Sequence, residues 1–338
     1  MKNGVTIRQR IQGCLLGGAV GDALGYPIEF ERQSQVQANY GRGGMTFDKF
    51  TGQPIISDDT QMTLFTASGL LLPGNPLKNV WDSYQDWLDT QFKPDVSMLS
   101  HVPVSWLVNE PVMFASRNPG RTCLMSLSHG QPGSIDCPIN QSKGCGSVMR
   151  IAPVGLLVDC VADDDVIEMA ADIATLTHGH IMSTMASAFM AVLIRKIVKT
   201  NGTLKMQAQT TLTLIQTAFQ QETALTEFSQ LIQRAIDYSQ SDEDERKRIH
   251  TLGAGWVAEE TLAIALYCAL KYPQFEKTSH AIEVAVNHDG DSDSTGALTG
   301  QILGAKHGAD ALPLNFVQRL DAYTPIQKVA KLCEENAG

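Results

Sequence analysis

Two short runs of oxygen-bearing side chains stand far apart in this 338-residue chain. Late in the chain, Asn287-His-Asp-Gly-Asp-Ser-Asp-Ser-Thr-Gly296 places Asp289, Asp291 and Asp293 at alternate positions, with Ser292, Ser294 and Thr295 among them. Much earlier, Ser57-Asp58-Asp59-Thr60 offers a second set of hydroxyls and carboxylates. Each run precedes an apolar helical pattern, where Asp and Ser cap free backbone N–H groups. One aspartate would suffice for a cap, and carboxylates held close repel one another. A hard cation bound through oxygen is the simplest way to stabilise such a cluster. Neither loop alone could enclose one, so the pair predicts a metal centre assembled between them.

Two glycine stripes say how the loops are brought together. Residues 7–25 read as a buried helix with glycines at 13, 17, 21 and 25, and 296–308 repeats the four-residue spacing at 296, 300, 304 and 308. That spacing keeps the glycines along one helix face. Each interior glycine costs a helix roughly 0.5–1 kcal/mol relative to alanine, so close approach of a second backbone, or of backbone to a ligand, is the expected compensation. The two helices are therefore expected to pack on each other, carrying Asp22 and Glu29 toward the acidic loops.

The rest of the chain reads as helix joined by loops. Helices are expected at 59–72, 77–92, 151–158, 163–176, 182–199, 203–238 (as one or two), 253–270, 275–287 and 313–335. Residues 26–56 read as loop, 93–144 as irregular with a short helix near 104–116, and 239–248 as a solvated charged turn. No alternating strand segment stands out, which makes the fold class all-α, one domain over 1–338. Gln141 to Arg150 forms a glycine-rich entrance of the sort that can cradle phosphate, although it lacks the Walker and dinucleotide fingerprints. His178 and His180 fit helix caps and Trp256 fits a core position, on their own merits.

Composition narrows the function classes. Hydrophobic residues make up 43% and charged residues 18%, which implies a large core. The net charge of −10 argues against nucleic acid or an anionic membrane as partner. Seven cysteines (14, 123, 137, 145, 160, 268, 333) form no CxxC pair and read as reduced thiols of a cytoplasmic protein. No secretory pattern opens the chain, and no apolar run was expected to span a bilayer, Asp22 interrupting the N-terminal one.

Taken in order, Gly13–Glu29, Ser57–Thr60, Ser142–Arg150, Gly253–Glu260 and Gly290–Gly304 resemble the ADP-ribosylglycohydrolase family, the last segment carrying its Gly-Asp-x-Asp-Ser/Thr pattern. The resemblance implies two Mg²⁺ (or Mn²⁺) ions in a central cleft, held by Ser57, Asp58, Asp59, Asp291, Asp293 and Ser294. It implies catalytic carboxylates at Glu29, on a mobile loop, and at Asp58, Asp59 and Asp293. Ser142, Lys143, Gly144, Cys145, Gly146 and Ser147 would receive the pyrophosphate and ribose, His178 a ribose or phosphate oxygen, and Trp256 the adenosine side. The implied activity is hydrolysis of an ADP-ribosyl bond on a modified protein, with arginine the expected linkage and a regulatory or toxin-immunity role. A cognate ADP-ribosyltransferase is a further expected partner. Two other readings stand beside it: hydrolysis of ADP-ribosylserine or O-acetyl-ADP-ribose, and non-catalytic sequestration of a transferase.

Overall fold

The computed structural model describes residues 4–157 and 162–336, so Cys160 and the end of the 151–158 helix lie outside it. Among the described residues there are sixteen α-helices and no strand, only an isolated antiparallel bridge between Gly144 and Val257. The all-helical expectation holds.

The glycine stripes are the axis of the molecule. Helix Ile7–Gly25 runs antiparallel to helix Ser292–His307, pairing Gly13 with Gly304, Gly17 with Gly300 and Gly21 with Gly296. A Cβ added at Gly17 would sit 2.1 Å from the Gly300 carbonyl oxygen, and one at Gly21 2.0 Å from that of Gly296. Only glycine allows backbones this close, which is what offsets its helical penalty. The antiparallel pairing sets the last turn of the first helix, with Asp22 and Gly25, against the first turn of the second, with Asp293. A helical spacing readable in the sequence thus delivers the acidic loop to its place.

Helix Asp58–Leu70 enters beside this pair, with Ser57 as its N-cap accepting from Asp59 N at 3.2 Å. Its position is fixed by Asp22, whose buried carboxylate accepts from Ser57 N at 2.9 Å, from Thr60 N at 3.1 Å and from the Thr60 hydroxyl. Helices Ile181–Lys199 and Ala258–Lys271 fill the interior behind these elements. By length and composition Ile181–Lys199 could cross a membrane, contrary to the sequence expectation, but most of it is buried inside the protein. Its apolar character on all sides is that of a core helix.

Several boundaries differ, each for a physical reason. Residues 26–56 contain a helix, Gln33–Tyr40, whose first N–H groups are met from outside: Gln33 N donates to Asp289 at 2.6 Å. The segment 104–116 holds two 3₁₀ turns rather than a helix, while Arg121–Ser128 is helical inside the irregular stretch. Helix 253–270 begins only at Ala258, because Gly253 and Gly255 have φ of 135° and 79°. The charged turn yields to a helix at Glu245, capped by Asp244 on Arg246 N at 2.9 Å. The 203–238 and 313–335 segments each divide in two.

Candidate active site

The two acidic loops meet as expected. Asp58, Asp59, Asp291, Asp293 and Ser294 line one side of a cleft of about 300 Å³, and Glu29 lines the same cleft from the segment after the first helix. All six are buried. One carboxylate oxygen from each of Glu29, Asp291 and Asp293 lies within 4.8 Å of the others. Asp58 and Asp59 face the same space but stand outside that tight group of three. Ser57 lies beneath them, fully buried.

The loops hold their carboxylates by backbone bonds. Asp291 caps its helix by accepting from Ser294 N at 3.2 Å, and Asp293 accepts from the same N–H at 2.9 Å. Asp291 N donates to Ala254 O at 2.9 Å, and here Gly290 passes so close that a Cβ would fall 1.8 Å from that oxygen. Asp58 accepts from Gly120 N at 3.0 Å, while Glu29 accepts from the Asn118 side chain at 3.0 Å.

Electrostatically this is an unfinished cluster. Among the described residues no Lys, Arg or His forms an ion pair with any of these five acids, and Asp59 Oδ2 is buried with no hydrogen-bond partner. Burial drives the Glu29 carboxyl up to about 9, the field of Asp293 adding to it. Asp58, Asp59 and Asp291 are raised well above the usual carboxylate range, first by burial and then by neighbouring acids, the Gly120 N–H partly offsetting this at Asp58. Asp22 is pushed to about 7 by its burial and by Asp293, against its hydrogen bonds from Thr60 and Ser57. Several oxygens converging on one space, one of them orphaned and none neutralised by a cation, fit a hard divalent ion. Asp58, Asp59, Asp291, Asp293, Ser57 and Ser294 are the residues that would hold it.

The glycine-rich segment enters the opposite wall, though only in part. Gly144, Cys145 and Gly146 line the cleft. Lys143 instead pairs with Glu259, Ser142 bonds the Thr122 hydroxyl at 2.9 Å beside a neighbouring cavity, and Ser147 is buried below with its Oγ 3.3 Å from Gly144 O. The segment is tied to the 253–257 loop through Cys145 N to Trp256 O at 3.2 Å and Ala258 N to Lys143 O at 2.8 Å. That tie carries Trp256 to the rim, where it is 42% exposed and stacked on Phe30 with centroids 5.8 Å apart. The core assignment for Trp256 is therefore corrected: a ring over a cleft mouth is a surface platform. His178 lies at the cleft wall, whereas His180 caps helix Ile181–Lys199 by accepting from Met182 N at 3.1 Å.

Phe30, Asn118, Gly120 and Arg121 were not singled out from sequence. The Asn118-Pro-Gly120 turn, with Asn118 at φ 55°, was a local signal for a tight corner but not for its neighbours.

An all-helical chain that closes two acidic helix starts around one cleft is the frame of a carboxylate-lined helical site, and the comparisons with known proteins give its family. The ADP-ribosylglycohydrolase family model matches residues 3–338, and the chain belongs to that family. The ADP-ribosyl-[dinitrogen reductase] glycohydrolase of Rhodospirillum rubrum is 24% identical over 326 residues, covering 94% of this chain and 92% of its own. The ADP-ribosylarginine hydrolase Tri1 of Pseudomonas putida is 24% identical over 95% of this chain and 77% of its own. A solved structure described as an ADP-ribosylglycohydrolase-related protein complex superposes with a TM-score of 0.66 at 22% identity, covering 98% and 99% of the two chains. The activity is accordingly that of an ADP-ribosyl glycohydrolase.

Proposed function

We propose that this chain hydrolyses the N-glycosidic bond between ADP-ribose and an arginine of a modified protein, in the cytoplasm and with divalent metal bound in the acidic cleft. The observation that carries the reading is the buried carboxylate cluster with no cationic partner and an orphaned Asp59 oxygen. Such a site favours positive charge in two forms, a metal ion at its floor and a planar guanidinium near its mouth. Bound there, Mg²⁺ or Mn²⁺ would supply Lewis acidity and a template for ribose hydroxyls and water.

The protein's own groups do the remainder. Departure of arginine leaves an oxocarbenium-like ribose, and nearby carboxylates stabilise that charge. Glu29, steadied by Asn118 at the edge of the cleft, is placed to orient the attacking water, and to deprotonate it once a bound cation offsets the burial and the Asp293 charge that hold its own proton. Water then adds hydroxyl to the anomeric carbon and a proton to the departing guanidine. The Phe30–Trp256 pair offers an aromatic face at the rim for the adenosine end. The relative named as an ADP-ribosylarginine hydrolase supports the arginine linkage, and the one named for dinitrogen reductase supports a protein as substrate.

The test is to strip the purified chain of metal, restore Mg²⁺ or Mn²⁺, and follow released ADP-ribose from three substrates. ADP-ribosyl-arginine should turn over fastest, with ADP-ribosyl-serine and O-acetyl-ADP-ribose much slower. Preference for serine would overturn the linkage, and full activity in chelator would overturn the metal.

A further inference from the structure

Arg150 is fully buried, yet among the described residues it has no carboxylate within ion-pair distance. Its guanidinium lies 4.4 Å from the Tyr84 ring centroid and approaches Met62 Sδ at 3.5 Å and Cys123 Sγ at 3.6 Å, and its Nε has no partner. Its one strong bond runs to the Thr177 hydroxyl at 2.6 Å. A buried cation without a counter-ion is expensive, and an apolar side chain would fill the space at lower cost. Something other than packing retains it.

The next contact supplies a reason. Thr177 Oγ1 lies 2.8 Å from Nδ1 of His178. A guanidinium only donates, so Thr177 accepts from Arg150. The single hydroxyl hydrogen of Thr177, itself fully buried, then has His178 Nδ1 as its acceptor, and leaving it unpaired would be costly. With Nδ1 accepting, the ring proton must sit on Nε2. Among the described residues Nε2 has no hydrogen-bond partner, and His178 faces the cleft between Gly144 and Gly146, where added Cβ atoms would fall 3.4 and 3.3 Å from it. Burial, and then the charge of Arg150 behind the ring, hold the imidazole near 3, so a second proton is opposed.

We propose that Arg150 is a positioning residue which, through Thr177, fixes His178 as a neutral Nε2–H donor aimed into the cleft at an acceptor oxygen of the ADP-ribosyl group. The identity of that oxygen's owner rests on the proposed function; the relay rests on the contacts above. A histidine locked this way offers a donor that does not change with pH across the physiological range. Without the lock, the ring could turn its lone pair toward an anionic ligand, which would repel it.

The experiment is ring-¹⁵N histidine NMR of the full chain, paired with calorimetric titration of ADP-ribose, on wild type, Thr177→Val, Thr177→Ser and Arg150→Met. Wild type and Thr177→Ser should show a single Nε2–H tautomer for His178. Thr177→Val should show mixed tautomers and about five- to tenfold weaker ADP-ribose binding, the loss of one neutral hydrogen bond. Rescue by serine separates a hydroxyl relay from simple packing, and Thr177→Val keeps the test open should Arg150→Met fail to fold. An Nδ1–H tautomer in wild type, or an unchanged tautomer in Thr177→Val, overturns the relay. A wild-type chain with pure Nε2–H that binds no ADP-ribose upholds the relay and overturns the ligand assignment, together with the proposed function.

Discussion

Replacing Asp291 with asparagine should abolish turnover and yet stabilise the metal-free protein. Asn is as good an N-cap as Asp, so the bond from Ser294 N at 3.2 Å can persist. What disappears is one charge of a group whose oxygens lie within 4.8 Å of each other. At an effective dielectric near 20, one ionised pair at that distance repels by about 3 kcal/mol. Burial and neighbouring acids hold Asp291 itself well above the usual carboxylate range and Glu29 at about 9, so the relief comes chiefly from Asp293 and about 3 kcal/mol is its ceiling, reached only where Asp291 is ionised. For 338 residues the unfolding entropy is roughly 0.7 kcal/mol/K, so the melting temperature should rise, by up to about 4 °C.

The pH dependence follows from the direction of the shifts. A carboxyl raised in the folded state holds a proton that the unfolded chain has already lost, between 4.5 and about 9 for Glu29. In that window the native state binds more protons, so its stability falls as pH rises. Metal-free wild type should therefore melt lower at pH 8 than at pH 5.5, and the advantage of Asp291→Asn should shrink toward the acid end. Adding Mg²⁺ or Mn²⁺ should reverse the order by raising wild type about 4.1 kcal/mol at a thousandfold excess over the dissociation constant. Scanning fluorimetry in chelator and in metal, at both pH values, reads all of this. A variant that melts below wild type in chelator at pH 8 would refute the reasoning, for Asp291 would then be a satisfied structural group.

Three further outcomes are expected. Asp22→Ala removes the buried acceptor of Ser57 N, Thr60 N and the Thr60 hydroxyl, and should cost about 3 kcal/mol or more by thermal melting while reducing turnover through misplaced Asp58 and Asp59. Gly300→Ala gains up to about 1 kcal/mol of helix propensity but sets a Cβ 1.9 Å from Gly17 O, so strain of about 1–3 kcal/mol should win and lower the melting temperature. Glu29→Gln should lower kcat at least a hundredfold while leaving metal affinity, read by calorimetry, within a few-fold of wild type.

What was legible in the sequence had a local period or a local surplus of charge. The glycine spacing of 13, 17, 21 and 25 against 296, 300, 304 and 308 reports a backbone contact because no other interaction repays glycine on one helix face. Of the three aspartates at alternate positions, Asp291 and Asp293 reach the cleft, whereas Asp289 is exposed and accepts from Gln33 N. Contacts made by partners distant in the chain left no such trace. The helix Gln33–Tyr40 is invisible because its start is met by Asp289, 256 residues away. Asn118 and Gly120 belong to a proline-broken stretch whose composition predicts turns but not that one turn will hold Glu29 and Asp58. Arg150 closes the glycine-rich segment in the sequence, and its burial in the interior has no local signal. Lys143 illustrates the opposite error, since it stands in the phosphate-loop pattern but spends its charge on Glu259. With Lys143 engaged elsewhere and Arg150 screened behind Thr177, the glycine-rich wall presents backbone and a neutral imidazole, and the cationic side chain that lines the cleft is Arg121. Charge compensation for a bound pyrophosphate then falls to Arg121 and to whatever neutralises the carboxylates across the cleft, so a metal bound there and the ligand would be thermodynamically linked.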